Sequence, residues 1–238
     1  MTDCVTGARV RQPLVLVPGL SCDARLWEAQ VAGIADVAAP HIGDTLTDDS
    51  LPAMAKRILA DAPPRFALAG FSMGGYVAME IWRQAPERVT RIAFLDTSAG
   101  ADDADATHLR QAAITTARKR GYEAVLRGSL RRLVHPETPR PIAEAVVAMA
   151  LEVGLETYAR QQRAIMARPD SRPDLARIAV PALVVAGAQD QLTPPDRARD
   201  IARHIPKARL ALIERCGHMA PMERPEELNV LLRDWLGA

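Results

Sequence analysis

A serine, an aspartate and a histidine, far apart in the chain, have the residue types for nucleophilic chemistry. Ser72 stands in Gly70-Phe71-Ser72-Met73-Gly74, a G-x-S-x-G spacing followed at once by Gly75. Glycines on both sides let backbone pass close to itself at a sharp turn, which leaves the serine hydroxyl exposed. Asp190 stands in Gly187-Ala188-Gln189-Asp190-Gln191-Leu192-Thr193-Pro194-Pro195, and His218 in Glu214-Arg215-Cys216-Gly217-His218-Met219. A hydroxyl is a weak nucleophile until a base takes its proton, and the base needs an acid to orient it. The chain order Ser72, Asp190, His218 therefore reads as nucleophile, acid, base. Asp96 is a rival acid, because it ends an apolar run that follows the serine's helix. Its other reading is a hydrogen bond to the Thr97-Ser98 turn. Charge building on an attacked carbonyl oxygen needs two donors. The backbone N–H of Met73 is one, and that of Leu20, in the loop Pro18-Gly19-Leu20, is the other. Pro18 has no N–H to give.

These groups can meet only if the elements around them bring their loops to one rim. The run Pro13–Val17 is apolar and β-branched and stops at Pro18-Gly19, which predicts a buried strand. A short helix over 24–33 and a strand over 36–39 follow. A helix over 50–61, capped by Ser50, precedes a strand over 65–69. The Ser72 turn then leads into a helix over 73–84 and a strand over 89–95. From 104 to 168 the rhythm changes to four helical patterns, at 104–119, 121–133, 141–153 and 155–167. Breaks fall at Gly121, His135-Pro136, Pro139, Gly154 and Arg168-Pro169. Alternation resumes with a strand over 180–186, a helix over 195–204, a strand over 208–213 and a helix over 223–236. Alternating strands and helices predict a mostly parallel α/β sheet of six strands, covered on both faces. In such sheets ligands bind at the carboxyl ends of the strands, where Ser72, Asp190 and His218 all fall. The expected division is a core from 1 to 103, a helical insertion from 104 to 174, and the rest of the core from 175 to 238.

Composition narrows the function classes. The chain has 238 residues, 48% hydrophobic and 25% charged, enough for a buried core. Lys plus Arg total 30 against 29 for Asp plus Glu, a net charge of +1. So balanced a chain has no broad field to gather nucleic acid or an anionic membrane. No apolar run approaches a membrane span, and the first residues lack the apolar stretch of a signal peptide. The 3 cysteines, Cys4, Cys22 and Cys216, cannot all pair internally. A reducing cytoplasm is the expected setting. No Cys-x-x-Cys occurs and no histidine joins a cysteine at zinc spacing, so no metal is expected. The glycine-rich turn is not G-x-G-x-x-G, and no Gly-Lys-Ser/Thr follows, so no nucleotide cofactor is expected. The arginines at 127, 131 and 132 read as a solvated face that meets an anionic substrate only if turned toward the cleft. Glu214 and Glu223 read as a strand-end and a helix-start charge.

On the segments VPGL at 17–20, GFSMGG at 70–75, GAQDQLTPP at 187–195 and CGHMAPMERPEE at 216–227, the chain resembles the α/β-hydrolase superfamily. The last two segments are similar to small, cofactor-free bacterial members with a helical lid. The resemblance implies the triad Ser72, Asp190 and His218, oxyanion donors at Leu20 and Met73, and a lid made by the insertion. It also implies a core lacking the family's first two strands. Many members carry His-Gly where this chain has Pro18-Gly19, which removes a side chain that braces the oxyanion loop. Serine at position 72 argues against dehalogenase chemistry, which uses aspartate there. Residues expected to line the substrate pocket are Cys22, Phe71, Leu192 and Met219 from the core, and Leu155, Tyr158, Ile165 and Met166 from the insertion. The implied activity is hydrolysis of a small or medium, mainly apolar carboxylic ester through an acyl-enzyme. Lactones, thioesters and carbon–carbon bonds beside a ketone need the same groups, and a binding module that has lost its chemistry is the non-enzymatic alternative. The partner is a small molecule. Self-association stays open.

Overall fold

The computed structural model describes residues 11–237. Strand β1 (Gln12–Val17) is followed by a 3₁₀ turn (Ala24–Trp27) and helix α1 (Glu28–Gly33). Then come β2 (Ala38–Ile42), α2 (Leu51–Asp61), β3 (Phe66–Phe71), α3 (Met73–Gln84) and β4 (Val89–Leu95). Four long helices, α4 (Ala104–Arg120), α5 (Tyr122–Leu133), α6 (Arg140–Val153) and α7 (Leu155–Met166), and one short one, α8 (Arg172–Leu175), are inserted next. The chain returns through β5 (Ala182–Gly187), α9 (Pro195–His204), β6 (Arg209–Ile213), α10 (Ala220–Glu223) and α11 (Pro225–Leu236).

The six strands form one sheet in the order β2-β1-β3-β4-β5-β6, and every neighbouring pair is parallel. From β1 the described chain steps out to β2, then returns past β1 to lay down β3. The order therefore reverses between β1 and β3, and the crevice at their carboxyl ends is where sheets of this kind take a ligand. Register aligns those ends: Val17 pairs with Gly70, Phe71 with Leu95, Leu95 with Val185, and Gly187 with Ile213. The loops after β1, β3, β4, β5 and β6 thus leave from one rim.

Alternate strand residues feed opposite faces. Val15, Val17, Leu68, Ile92, Phe94 and Val184 pack against α2, α3 and α9 through Met54, Ile58, Val77, Ile81 and Ile201. Leu14, Leu16, Ala69, Leu95, Leu183 and Val185 pack on the other side against Trp27, Leu228, Leu232 and Trp235. Each large side chain buried this way contributes about 1.5–3 kcal/mol before the entropy of ordering it is subtracted. The inserted helices have a small core of their own, made by Ile114, Ala117, Tyr122, Leu126, Val147, Ala150, Tyr158 and Ala159.

Three expectations need correction. The second strand runs through Pro40 rather than stopping before it, because β2 is an edge strand and a proline there loses no ladder bond it needs. Ser50 holds the N-cap position of α2, but its side chain makes no capping bond. Pro52 occupies the second helical position and removes one of the amides such a cap would use. The helix expected over 223–236 is two helices, parted at Arg224 (φ −135°, ψ 56°), because the residue before Pro225 is pushed out of the helical region. The expected loss of two leading strands concerns residues 1–10, and these, with Cys4, lie outside the described residues. No helix among the described residues is long and apolar enough to cross a membrane.

Candidate active site

Strand β3 runs directly into Ser72, whose N–H still donates to the Leu95 carbonyl at 2.9 Å as if the ladder continued. The backbone then reverses: Ser72 has φ 51° and ψ −117°. A non-glycine residue held there carries roughly 1–3 kcal/mol of strain, which the surroundings must outweigh. The Thr97 hydroxyl donates to the Ser72 carbonyl at 2.8 Å and braces the turn from β4. Gly74 explains why no side chain is tolerated beside it. A Cβ at position 74 would lie 2.1 Å from the Val17 carbonyl oxygen and 2.7 Å from that of Pro18, both rigid backbone. The first turn of α3 is therefore pressed against the loop after β1.

Asp190 and His218 come from the loops after β5 and β6, farther along the rim. Asp190 Oδ1 accepts from the N–H groups of Leu192 (2.7 Å) and Thr193 (3.0 Å). Its Oδ2 accepts from the Thr193 hydroxyl (2.6 Å) and lies 2.8 Å from His218 Nδ1. An ionised carboxylate only accepts, so Nδ1 carries the proton and Nε2 is left as the acceptor. Nε2 lies 2.9 Å from Ser72 Oγ. Burial alone would raise the Asp190 pKa, but the facing His218 and the bonds from His218 and Thr193 outweigh it and hold the carboxyl below its ordinary value. His218 is 2% exposed, whereas Ser72 is half-buried and opens to the cavity above it.

The loop that carries His218 is held by polar contacts. Its N–H donates to the Leu133 carbonyl of the insertion at 2.9 Å. The Glu223 carboxylate accepts from the N–H groups of Met219 (2.9 Å) and Gly217 (3.2 Å) on either side of the histidine. It also accepts from the His135 N–H (2.7 Å) and the Thr138 hydroxyl (2.5 Å) of the insertion. Glu223 is thus more than a helix-start charge. Gly217 is a point of close approach. A Cβ there would lie 2.6 Å from the His135 nitrogen, so the residue is small to let the insertion approach.

Asp96 does not meet His218 in any hydrogen bond, and it does not cap the Thr97-Ser98 turn. Its Oδ1 accepts from the Gly187 N–H at 2.8 Å, and its Oδ2 has no partner among the described residues. Burial, and then the neighbouring Asp190 charge, push its pKa well above the ordinary carboxyl range. Both causes act against the charged form of Asp96.

Leu20 and Met73 both line the cavity beside Ser72. Met73 is the first residue of α3, where an amide has no intrahelical acceptor. Among the described residues neither N–H has a protein acceptor. The brace missing at Pro18 is replaced from the insertion: Gln161 Oε1 accepts from the Ser21 N–H (2.9 Å), and Ser21 Oγ meets the Tyr122 hydroxyl at 2.6 Å.

The cavity holds about 450 Å³. Cys22, Phe71, Tyr158, Ile165, Leu192 and Met219 line it as expected. Leu155 and Met166 do not. They lie at the two ends of α7 and pack against the insertion's own core, so the face of α7 that meets the cavity carries Tyr158, Gln162 and Ile165 instead. Of the three arginines at 127, 131 and 132, Arg132 reaches the cavity wall, while Arg127 pairs with Glu123 and Glu144 on the surface. Burial, and then the Asp23 charge, push the Cys22 thiol up to about 12. Cys216 is buried and its thiol is likewise raised by burial, so both are neutral thiols rather than nucleophiles. Among the described residues no three His, Cys, Asp or Glu side chains are placed to hold a metal ion.

Thr193 and Glu223 are the site residues that sequence reasoning missed. Thr193 had a signal, since Asp with Thr three residues later is a turn in which both hydroxyl and amide can reach the carboxylate. Two of Glu223's donors, Gly217 and Met219, lie in its own loop, but the other two, His135 and Thr138, lie in the insertion, and no local pattern connects them to it.

Known proteins agree with this architecture. Residues 14–230 match the model of the alpha/beta hydrolase family. A pimeloyl-[acyl-carrier protein] methyl ester esterase of Aromatoleum aromaticum is 28% identical over 94% of this chain and 98% of its own. The 3-oxoadipate enol-lactonase 2 of Acinetobacter baylyi is 30% identical over 70% of this chain and 61% of its own. A malate-bound thermophilic esterase from Thermogutta terrifontis superposes with a TM-score of 0.87 at 28% identity, covering 97% of this chain and 91% of that one. The sheet order, the turn at Ser72 and the match over nearly the whole described length make this chain a member of the α/β-hydrolase family.

Proposed function

We propose that this protein is a serine hydrolase that cleaves a small or medium carboxylic ester through an acyl-enzyme on Ser72. One observation carries the reading: an unbroken line from Asp190 Oδ2 through His218 Nδ1 (2.8 Å) and Nε2 to Ser72 Oγ (2.9 Å), opening into a cavity with apolar walls. His218 takes the serine proton as the hydroxyl attacks the carbonyl carbon, and Asp190 stays ionised behind the imidazolium. The oxyanion lies between the N–H groups of Leu20 and Met73, an arrangement in which losing one donor raises the barrier by about 2.7–4 kcal/mol. His218 then gives its proton to the leaving alcohol. Water, deprotonated by the same ring, releases the acid. Residues 104–174 serve as the lid over this site. The free, buried Cys22 and Cys216 fit a reducing compartment, and the reading places the enzyme in the cytoplasm.

A lactone is the second substrate class. The likeness to an enol-lactonase favours it, and a cyclic ester presents the same carbonyl to Ser72. A fluorophosphonate probe tests the nucleophile: labelling is expected in the native protein and lost in Ser72→Ala and His218→Ala. A p-nitrophenyl ester series run beside lactones then ranks the two classes. Absence of labelling together with absence of turnover overturns the reading in favour of a binding protein.

A further inference from the structure

One stretch of the cavity wall is not apolar. Asp102, whose side chain is 3% exposed, is shared by two arginines: Arg110 Nε donates to it at 2.6 Å and Arg168 Nη1 lies 2.7 Å away. Two guanidinium charges against one carboxylate leave a local excess of one positive charge. Arg168 is 7% exposed and held from several sides. Its Nε donates to the Gly100 carbonyl, Nη1 to that of Ile165, and its plane lies 4.4 Å over the Tyr76 ring. Arg110 Nη1 donates to Gln162 Oε1 at 2.8 Å, and Gln162 in turn donates to the Tyr158 hydroxyl at 3.0 Å. Among the described residues the Nη2 group of each arginine has no protein acceptor. Arg110, Arg168, Asp102, Tyr76, Tyr158 and Gln162 all line the cavity that holds Ser72. The other acid on this wall, Asp103, is exposed and is used by the Ala106 N–H at the start of α4. A fixed, nearly buried cation with spare donors is costly unless an anion meets it, and a carboxylate matches the planar guanidinium edge.

We propose that Arg110 and Arg168 form a carboxylate subsite, so that the substrate is the ester or lactone of a short dicarboxylic acid. Its free carboxylate lies against the two Nη2 groups while the esterified carbonyl meets Ser72. This rests on the reading of Ser72 as the nucleophile. Tyr76, under Arg168, stands one helical turn beyond Ser72, roughly 5–6 Å along α3. A linker of a few methylenes spans that gap, past the apolar groups of Tyr76 and Ile165.

Two esters that differ by one methyl and one charge separate a carboxylate subsite from an ion cluster that only ties α4 to the core: mono-p-nitrophenyl glutarate and its neutral relative, p-nitrophenyl methyl glutarate. The native enzyme is expected to favour the charged ester by about tenfold or more in kcat/KM, with the gain in KM. Arg110→Gln should shrink that ratio toward one, and Arg110→Lys should recover part of it. Equal handling of the two esters by the native enzyme, or a ratio that Arg110→Gln leaves intact, overturns the subsite while the serine chemistry stands. If neither ester is turned over, the nucleophile reading fails separately. Calorimetry with glutarate on Ser72→Ala then decides the subsite: binding that is lost when Arg110→Gln is added supports it, and no binding overturns it.

Discussion

The turn that carries Ser72 and the loop that carries His218 reach the same place by opposite means. The serine turn is held by exclusion. Gly74 sits against the backbone of Val17 and Pro18 so closely that only a hydrogen fits, and Ser72 is forced to a positive φ by the strand before it and the helix after it. The histidine loop is held by attraction. Glu223 collects four donors around it, and the Leu133 carbonyl takes the His218 N–H. Steric confinement is local and rigid, so it fails abruptly. A polar brace is distributed over distant residues, so it fails by degrees.

That difference predicts a graded series of losses. Gly74→Ala should do the most damage, since the added methyl has nowhere to go without parting α3 from the loop after β1. Overpacking of this kind costs about 1–3 kcal/mol of stability. Misplacing the donors by an ångström lowers kcat on the order of 10²-fold. Denaturant melts and ester kinetics on one preparation check both. An alanine variant that folds and turns over normally would break the contrast.

Glu223→Ala should come next. It strips acceptors from both sides of His218 and from the insertion, and a kcat lower by about 10-fold to 10²-fold with little change in KM is expected. Glu223→Gln keeps one acceptor oxygen and should lie between. Equal loss in both variants would mean that the charge, not the bracing, matters.

Asp96→Asn should show the smallest effect, and its sign is the informative part. The native carboxyl has a raised pKa, so its neutral form is favoured in the fold. Stability is full below the unfolded value and declines as pH rises toward the folded one. The amide keeps an oxygen for the Gly187 N–H without that decline. The variant should therefore have the higher Tm near pH 8, with the gap closing toward about pH 4. Equal Tm values across the range would show that Asp96 carries no such burden.

The same contrast governs how much of the molecule can be read from its sequence. The Ser72 turn was legible because its cause is local: glycines two residues either side, a strand before and a helix after. The alternating apolar runs that set the six strands are equally local, though the edge strand with Pro40, the short helix Arg172–Leu175 and the helix parted before Pro225 departed from the pattern. Asp190 and His218 were singled out by chain order and by their place after strands. Thr193 was within reach, three residues from Asp190. The bonds of Glu223 to His135 and Thr138, and the contacts of Gln161 and Tyr122 with Ser21, were not, since each joins segments that no period connects. The lining of the cavity by α7 fell between. The helix was evident, but which of its faces looks inward depends on how the inserted bundle docks, so Leu155 and Met166 went to the bundle's own core and Gln162 to the cavity.

The bond from the His218 amide to Leu133 has a consequence for engineering. The imidazole of His218 is hung in part from the inserted helices, so those helices are not a removable cover. Trimming them would be expected to leave a slack imidazole above an intact serine rather than a faster, more open enzyme. A bundle transplanted from a cousin would have to bring its own equivalent of residues 133–138 in register before any new selectivity emerged.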